Sequence, residues 1–213
     1  MNHKKIKRIM REKGLITVIR RKNPYRDIMK KTQEHRTFNN ILARNFHQNI
    51  PGKVLCTDIT YLYYGQSQRA YLSVVKDIAS REIISWQLSS NLTLKFVLDS
   101  IRDLENIRII KGETIIHSDQ GFHYTSPEFI TKVKSLGLRQ SMSRKGNCID
   151  NAPMESFFGH LKDDINCKDA KTFNELNDII SEYMGYYNKE RYQWGIKKMT
   201  PVDYRNHLLS QQI

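Results

Sequence analysis

Residues 55–88 read LCTDITYLYYGQSQRAYLSVVKDIASREIISWQL, and this stretch decides the fold. Three runs within it, 55–62, 71–78 and 83–88, are rich in β-branched and aromatic residues, and short turn-prone segments separate them. Runs of this length and composition are typical of strands, and short connections favour antiparallel pairing between neighbours. The stretch therefore predicts three consecutive antiparallel strands.

The sequence after residue 88 predicts alternating helices and strands. Apolar residues recur at helical spacing over 94–104, and short apolar runs at 114–117 and 138–142 have the length of buried strands. Ser126 and Pro127 form an N-cap and N1 pair that starts a helix between these two strands. The whole pattern predicts an α/β fold with helices on the faces of a mixed sheet.

Two longer helices and one basic helix complete the prediction. One helix opens at Pro153, and a later one begins with a capping box made by Thr172 and Glu175. Near the N-terminus, residues 4–13 predict a short basic amphipathic helix with Gly14 as its C-cap.

Composition excludes several classes of protein. Hydrophobic residues make up 39% of the 213 residues and charged residues 27%, as in soluble globular domains. No apolar run approaches the roughly 20 residues that span a bilayer, and the N-terminus lacks the pattern of a signal peptide, so we expect a cytoplasmic protein with no membrane partner. Three cysteines without a C-x-x-C pair argue against a disulfide framework and a structural zinc site.

The positive charge is concentrated at the N-terminus. Residues 1–50 carry 14 Lys and Arg against three acidic residues, a net charge of +11, whereas the whole chain carries +13. This imbalance favours a nucleic-acid partner over a merely solvated face. We interpret residues 1–50 as a basic N-terminal arm, a helix followed by a linker, and 51–213 as the folded core, with compact structure starting near Lys53. The helix cations expected to contact this nucleic acid are Lys4, Lys5, Lys7, Arg8 and Arg11.

Three acidic residues stand at positions that can share one site. Asp58 lies inside the first strand, Asp119 ends the fourth, and Glu155 lies in the first turn of a helix. Taken singly, Asp119 is typical of a turn and Glu155 of a helix N-terminus. Acids at strand ends and on a neighbouring helix can converge, however, and three oxygen donors suit Mg²⁺ or Mn²⁺ in an in-line phosphoryl transfer with two ions.

Four motifs resemble a known family. They are TDIT at 57–60, HSDQG at 117–121, SMSRKGNCIDNAPMESFFGHLK at 141–162 and YYNKERYQWGIKKMTP at 186–201. These motifs resemble the second-frame product of bacterial insertion sequences that encode their transposase in two overlapping frames, within the retroviral integrase superfamily. The 35 residues between Asp119 and Glu155 match the spacing of the superfamily's Asp, Asp, Glu triad.

The resemblance covers nearly the whole chain and implies both fold and activity. It implies a ribonuclease-H-like fold, with three antiparallel strands and then two more. It implies a DNA transposase, a polynucleotidyl transferase that cleaves and joins DNA strands with Asp58, Asp119 and Glu155 as catalytic residues and as ligands of two Mg²⁺ or Mn²⁺ ions. Its implied partners are element ends, target DNA, further copies of the chain on DNA and a first-frame protein, with nucleoid association when DNA is bound.

Further polar residues surround the predicted triad. Lys162 matches the family's basic residue and, seven positions after Glu155, projects from the same helix face, so we expect it to contact DNA. For Arg144, Lys145 and Asn147, in the loop before that helix, phosphate contact and a plain exposed turn remain equally open.

The histidines that bracket Asp119, His117 and His123, are expected to make hydrogen bonds or to lie in the core, because hard cations prefer oxygen ligands. A tyrosine recombinase is disfavoured, because the sequence shows no Arg and His cluster around a tyrosine nucleophile.

The chain departs from the family pattern at two places. Leu55 stands where the family usually has tryptophan, and the family's product usually begins with a helical DNA-binding region, of which we interpret the basic arm as a remnant. Two alternative functions therefore stay open: a truncated DNA-binding inhibitor of the full-length transposase, and a ribonuclease-H-like nuclease.

Overall fold

A computed structural model describes residues 2–15, 36–106 and 112–211. The chain divides into two compact units, Met1–Glu34 and His35–Ile213. In the first unit the described part is one helix, α1 (His3–Glu12), which starts within one residue of its predicted position. The Asn2 side chain caps it by accepting a hydrogen bond from the Lys4 N–H at 3.0 Å. Residues 16–35, which include the first part of the predicted linker, lie outside the described residues.

A five-stranded mixed sheet forms the centre of the second unit. Its strands are β1 (Val54–Tyr64), β2 (Gln68–Asp77), β3 (Ile83–Ser89), β4 (Ile115–Ser118) and β5 (Arg139–Met142). The spatial order is β3-β2-β1-β4-β5, with the first three antiparallel to one another and β4 and β5 parallel to β1. The predicted mixed sheet is confirmed.

Helices follow the strands, and two of them begin where capping chemistry predicts. The α-helices described in the second unit are α2 (Leu94–Arg102), α3 (Phe122–Thr125), α4 (Pro127–Ser135), α5 (Ala152–Asp164), α6 (Phe173–Lys189) and α7 (Pro201–Ser210). The hydroxyls of Ser126 and Thr172 accept the N3 backbone N–H of α4 and α6, each at 3.2 Å. Helices α3 and α7 were not predicted, although Thr200, which accepts from the Asp203 N–H at 3.2 Å, gives α7 the same capping signal.

The sheet has an apolar core on each face. Strand residues such as Leu62 and Leu72 pack on one face with Phe157 of α5 and Ile180 of α6. On the other face, Leu55 is fully buried among residues of α2, α4 and β4, so leucine fills the position where the family usually has tryptophan. Since alternate residues of a strand point to opposite faces, both faces of β1 are covered, and a three-layer α/β arrangement results. Within the described ranges, no helix has the length and apolar character that crossing a membrane would require.

Residues 36–50 belong to the second compact unit. The folded core therefore begins earlier than the predicted start near Lys53. Leu42 is buried in the core. The backbone N–H groups of Ile41 and Leu42 both donate to the Ser141 hydroxyl of β5, at 3.0 and 3.2 Å. These contacts join positions about a hundred residues apart, so the polar and asparagine-rich sequence of the segment gave no local sign of them.

A buried carboxylate, Asp150, ties this segment to the loop that precedes α5. It accepts hydrogen bonds from the Asn40 amide at 3.0 Å, from the Arg44 Nε at 2.6 Å, and from the backbone and guanidinium of Arg144 at 2.9–3.0 Å. These donors hold the pKa of Asp150 well below its usual range. An ionised group that is fully inaccessible to solvent must be compensated in this way, because water cannot stabilise it.

We predict that Asp150→Asn lowers the free energy of unfolding by about 3 kcal/mol, because two guanidinium groups lose their buried counter-charge. The measurement is urea unfolding at neutral pH. Asp178→Asn, on the exposed side of α6, is the matched control and should change stability by no more than about 0.5 kcal/mol.

The pH dependence gives a second test of the same residue. A carboxylate with a depressed folded-state pKa stabilises the fold above its unfolded pKa, about 3.9, and loses this contribution as the pH falls further. The stability gap between the wild type and Asp150→Asn should therefore narrow below about pH 4. A gap that widens on acidification would contradict the assignment.

Candidate active site

Two of the three predicted acids lie side by side at the centre of the sheet. β1 and β4 pair in parallel with Cys56 opposite His117. Asp58 and Asp119 each stand two residues further along, and neighbouring strands are about 4.8 Å apart. The parallel register therefore brings the two carboxylates to adjacent positions, as the convergence argument predicts.

Asp58 is half-buried, and its surroundings oppose ionisation. Its Oδ1 accepts from the Ile59 N–H at 2.7 Å, and its Oδ2 accepts from the Asn151 amide at 3.2 Å. Burial, the negative charge of Asp119 and, more weakly, that of Glu155 raise the pKa of Asp58 to about 7, and the two hydrogen bonds only partly offset this. The site thus concentrates negative charge that its hydrogen bonds do not fully compensate.

Asp119 follows β4 directly and faces solvent at the mouth of a cleft. Its Oδ1 accepts from the Gly121 N–H at 2.8 Å. A Cβ on residue 121 would lie 2.8 Å from that same oxygen, so glycine is needed for the carboxylate to keep this position. Protein atoms around the carboxylate raise the pKa of Asp119, and the Gly121 hydrogen bond and His123 partly counter the effect.

Glu155 lies in the first turn of α5 with its side chain exposed. Within the ranges that the structure describes, no three His, Cys, Asp or Glu side chains are close enough together to hold a metal ion. The structure thus brings Asp58 and Asp119 together, whereas Glu155 is near enough to repel the Asp58 charge but does not complete a cluster. Adjacent carboxylate oxygens with raised pKa values nevertheless fit a hard divalent cation, which would relieve their repulsion.

A cleft of about 210 Å³ opens beside these carboxylates. Its lining combines acids with aromatic and small side chains: Asp58, Ile59, Thr60, Tyr61, Tyr71, Leu92, Asp119, Gly121, His123 and Tyr124. The cleft therefore offers an acidic wall and an aromatic wall to the same ligand.

Lys162 stands at the edge of this cleft. Its ammonium group donates to the Thr60 hydroxyl at 2.6 Å and lies 5.2 Å from the centre of the Tyr61 ring. Both of these partners line the cleft. The position beside the acids is the one expected for a cation that would meet a phosphate there.

The polar residues in the loop before α5 differ in their contacts within the protein. Arg144 is bound to the buried Asp150, although its side chain is 59% exposed. The Asn147 amide oxygen accepts from the Arg44 guanidinium at 2.9 Å, and Lys145 is exposed. The structure thus gives Arg144 and Asn147 partners within the protein. Whether these residues or the cations of α1 contact DNA stays a prediction.

His117 is a core residue, as expected. Its ring is fully buried, and its two nitrogens contact the hydroxyls of Ser141 at 2.9 Å and Ser143 at 3.2 Å. His123 is also buried but lines the cleft, where its charge interaction with Asp119 lowers the pKa of that carboxyl.

Asn151 contacts Asp58 directly and was not among the predicted site residues. Its Nδ2 donates to that carboxylate, whereas its Oδ1 is buried and has no hydrogen-bond partner among the described residues. Its position four residues before Glu155, at the end of a short 3₁₀ turn (Cys148–Asn151) that precedes α5, was the available signal. A polar residue at a helix start is usually interpreted as a cap, yet no capping hydrogen bond is formed here.

Comparison with known protein families gives matches to the integrase core domain. One description of that domain matches residues 48–148, and a second matches residues 155–209. An uncharacterized transposase-like protein of Haemophilus influenzae is 35% identical, over 99% of this chain and 95% of its own length. The putative transposase for insertion sequence element IS150 of Escherichia coli is also 35% identical, over 97% of this chain and 72% of its own.

Solved structures show the same fold at low sequence identity. The HTLV-2 integrase catalytic core domain in complex with magnesium, in its trimeric form, superposes with a TM-score of 0.57 and 15% identity, over 73% of this chain and 97% of its own. A chain of the simian T-cell lymphotropic virus intasome in complex with a PP2A regulatory subunit gives a TM-score of 0.61 at 19% identity, over 84% of this chain and 62% of its own. These likenesses establish a ribonuclease-H-like fold.

We predict opposite shifts of the Asp58 pKa in two variants. Asp119→Asn removes a repelling charge and should lower the pKa of Asp58 from about 7, whereas Asn151→Ala removes a donor to the carboxylate and should raise it. Carbon NMR of labelled aspartate, recorded in chelator across the pH range, measures both. Asp178→Asn is the control, and shifts of the same sign in the two site variants would contradict the electrostatic account.

Proposed function

Because the chain belongs to the integrase core domain family of bacterial insertion-sequence transposases, we propose that Asp58, Asp119 and Glu155 are its catalytic carboxylates. The observation that carries the proposal is the adjacent pair Asp58 and Asp119, held in the cleft with raised pKa values. Such perturbed acids in a cleft are typical of functional sites. The reaction we propose is cleavage of a DNA strand followed by joining of the freed 3′-hydroxyl to a second phosphodiester.

The carboxylate oxygens of these three residues would serve as ligands of divalent cations. Two Mg²⁺ or Mn²⁺ ions, when bound, would supply Lewis-acid activation of the nucleophile and stabilise the leaving oxygen. Asp58 and Asp119 would provide the shared oxygen ligands, and Glu155 would complete the set. Asn151 would help to orient the Asp58 carboxylate through the hydrogen bond that its amide donates to Oδ2.

Lys162 and the aromatic wall would orient the DNA. The Lys162 ammonium stands at the rim of the cleft, where it can neutralise a phosphate next to the scissile one. Water attacks first, and the released 3′-hydroxyl attacks second, so the protein forms no covalent bond with DNA at either step. This separates the proposal from a mechanism with a protein nucleophile.

Assembly and location follow from the same proposal. The HTLV-2 integrase core occurs in trimeric and dimeric forms, and the simian virus chain of similar fold is part of an intasome. We propose that this chain likewise acts as an oligomer on element ends and target DNA, with a first-frame protein as a further partner. Its place would be the cytoplasm, on the nucleoid when bound to DNA.

We predict that Asp58→Asn, Asp119→Asn and Glu155→Gln each reduce cleavage and strand joining by orders of magnitude without unfolding the protein, because each removes a negative charge from the cation site at nearly constant shape. The assay uses two labelled substrates in Mg²⁺ or Mn²⁺: an intact element end reports cleavage, and a pre-nicked end with a free 3′-hydroxyl reports joining. Denaturing gels separate cleaved from joined products.

The assay includes a control variant, and each alternative function predicts a different product. Glu128→Gln, exposed on α4, should behave as the wild type. Near-normal activity of one site variant would remove that residue from the catalytic set. Cleavage without joined product would indicate a nuclease, binding without cleavage an inhibitor, and a protease-sensitive DNA adduct a protein nucleophile.

We predict a strong salt dependence of DNA binding that originates in α1. Replacing its cations Lys4, Lys5, Lys7, Arg8 and Arg11 by Gln should flatten the plot of log affinity against log salt by about 0.9 for every phosphate that the variant no longer neutralises. Lys162→Gln should flatten the slope by about the amount that one phosphate contributes. Equal slopes for the wild type and the α1 variant would show that the arm does not anchor the DNA.

A further inference from the structure

An exposed pair of tyrosines lies on β1, beyond the catalytic carboxylates. Tyr61 and Tyr63 are two residues apart and therefore on one face of the strand. Each side chain is 42% exposed, and the two rings meet edge to face with centroids 5.5 Å apart. Neighbouring aromatic rings left in solvent lose the free energy of burial, so a cluster of this kind indicates a binding surface.

Arg69 fixes the geometry of this pair. It stands directly opposite Tyr63 in the antiparallel register of β1 and β2. Its guanidinium carbon lies 5.5 Å from the Tyr63 ring centre and 5.7 Å from that of Tyr61, and its Nη2 donates to the Tyr63 hydroxyl at 3.3 Å. One cation thus holds both rings before any ligand arrives, which lowers the entropy cost of binding.

The surface is continuous with the catalytic cleft. Tyr61 lines the cleft that contains Asp58 and Asp119, and its ring centre lies 5.2 Å from the Lys162 ammonium. A path leads from the carboxylates past Lys162 and Tyr61 to Arg69 and Tyr63. Residues 59–75, which contribute most of this path, contain no acidic residue. The charge of the path is therefore complementary to a polyanion that enters or leaves the cleft.

We propose that Tyr61, Tyr63 and Arg69 form a platform for unpaired nucleotides of the DNA strand that extends from the cleft. This tyrosine platform rests on the proposed function, since it takes its ligand from the strand held at the carboxylates. Bases stack on the tyrosine rings, and Arg69 contacts the intervening phosphate. The bases must be unpaired, because in a duplex the faces of each base are covered by its neighbours.

Two DNA probes test the platform with the full chain in Ca²⁺, which is larger than Mg²⁺ and more loosely coordinated, so that binding is measured without turnover. One is a duplex with a short single-stranded tail that carries a fluorescent adenine analogue, and the other is a blunt duplex of the same length. We expect Tyr61→Ala and Tyr63→Ala each to weaken binding of the tailed probe by roughly 5- to 150-fold and to abolish the fluorescence quenching that stacking causes, with little change for the blunt probe.

Conservative variants separate stacking from folding. Tyr61→Phe and Tyr63→Phe keep the rings and should bind the tailed probe as the wild type does, whereas Arg69→Gln should weaken it and reduce its salt dependence. Tyr186→Ala is the matched control, because this tyrosine of α6 is 43% exposed and outside the platform. Thermal melting must show that every variant is folded.

The results that would overturn the platform differ from those that would overturn the proposed function. Unchanged tailed-probe binding in the folded alanine variants removes the platform, and so does an equal loss for both probes. Unchanged DNA binding combined with a changed oligomer size would assign the surface to protein contact instead. None of these results depends on catalysis, whereas failure of the carboxylate variants to affect cleavage would overturn the proposed function and leave the binding measurement intact.

Discussion

Asp58 and Asp119 lie side by side because β1 pairs in parallel with β4, and carboxylates held at this spacing repel each other. Burial and this repulsion raise the pKa of Asp58, and the surrounding protein raises that of Asp119. Keeping Asp58 ionised therefore costs folding free energy at neutral pH. A cation bound between the two carboxylates would reduce their repulsion and recover this free energy. This constraint explains why the hydrogen bonds around the acids, from Ile59, Gly121 and Asn151, compensate them only in part.

A further carboxylate near the site, that of Asp150, has its charge compensated by two guanidinium groups. Asp150 and Asn151 are neighbours in the chain, yet they serve different partners. Asp150 is bound by Arg44 and Arg144, which fixes the short turn before α5, and the next residue can then direct its amide to Asp58. Residues 36–50 are therefore connected to the loop beside the cleft through the ion pairs of the buried Asp150, although none of them lines the cleft.

The distribution of cations suits an acidic site that must approach a polyanion. Carboxylates alone would repel DNA, and Lys162 at the cleft rim together with Arg69 beyond it offsets that repulsion locally. Aromatic rings between the two cations offer contact that does not depend on sequence or salt. The larger positive charge of the basic arm would add to overall DNA affinity, because counterion release scales with the number of phosphates neutralised and not with their place in the reaction.

The sequence by itself determined the features that follow from local chemistry. Period-two runs and turn residues predicted the three antiparallel strands, capping chemistry located the starts of α4 and α6, and residue spacing singled out the three acids. Only the tertiary structure decided that Asp119 stands beside Asp58 in register, that Asp150 holds Arg144, and that Asn151 and Tyr61 belong to the site. The physical reason is that strand register, buried ion pairs and cross-strand cation–ring contacts join residues far apart in the chain. Such contacts leave no periodicity in the sequence from which they could be predicted.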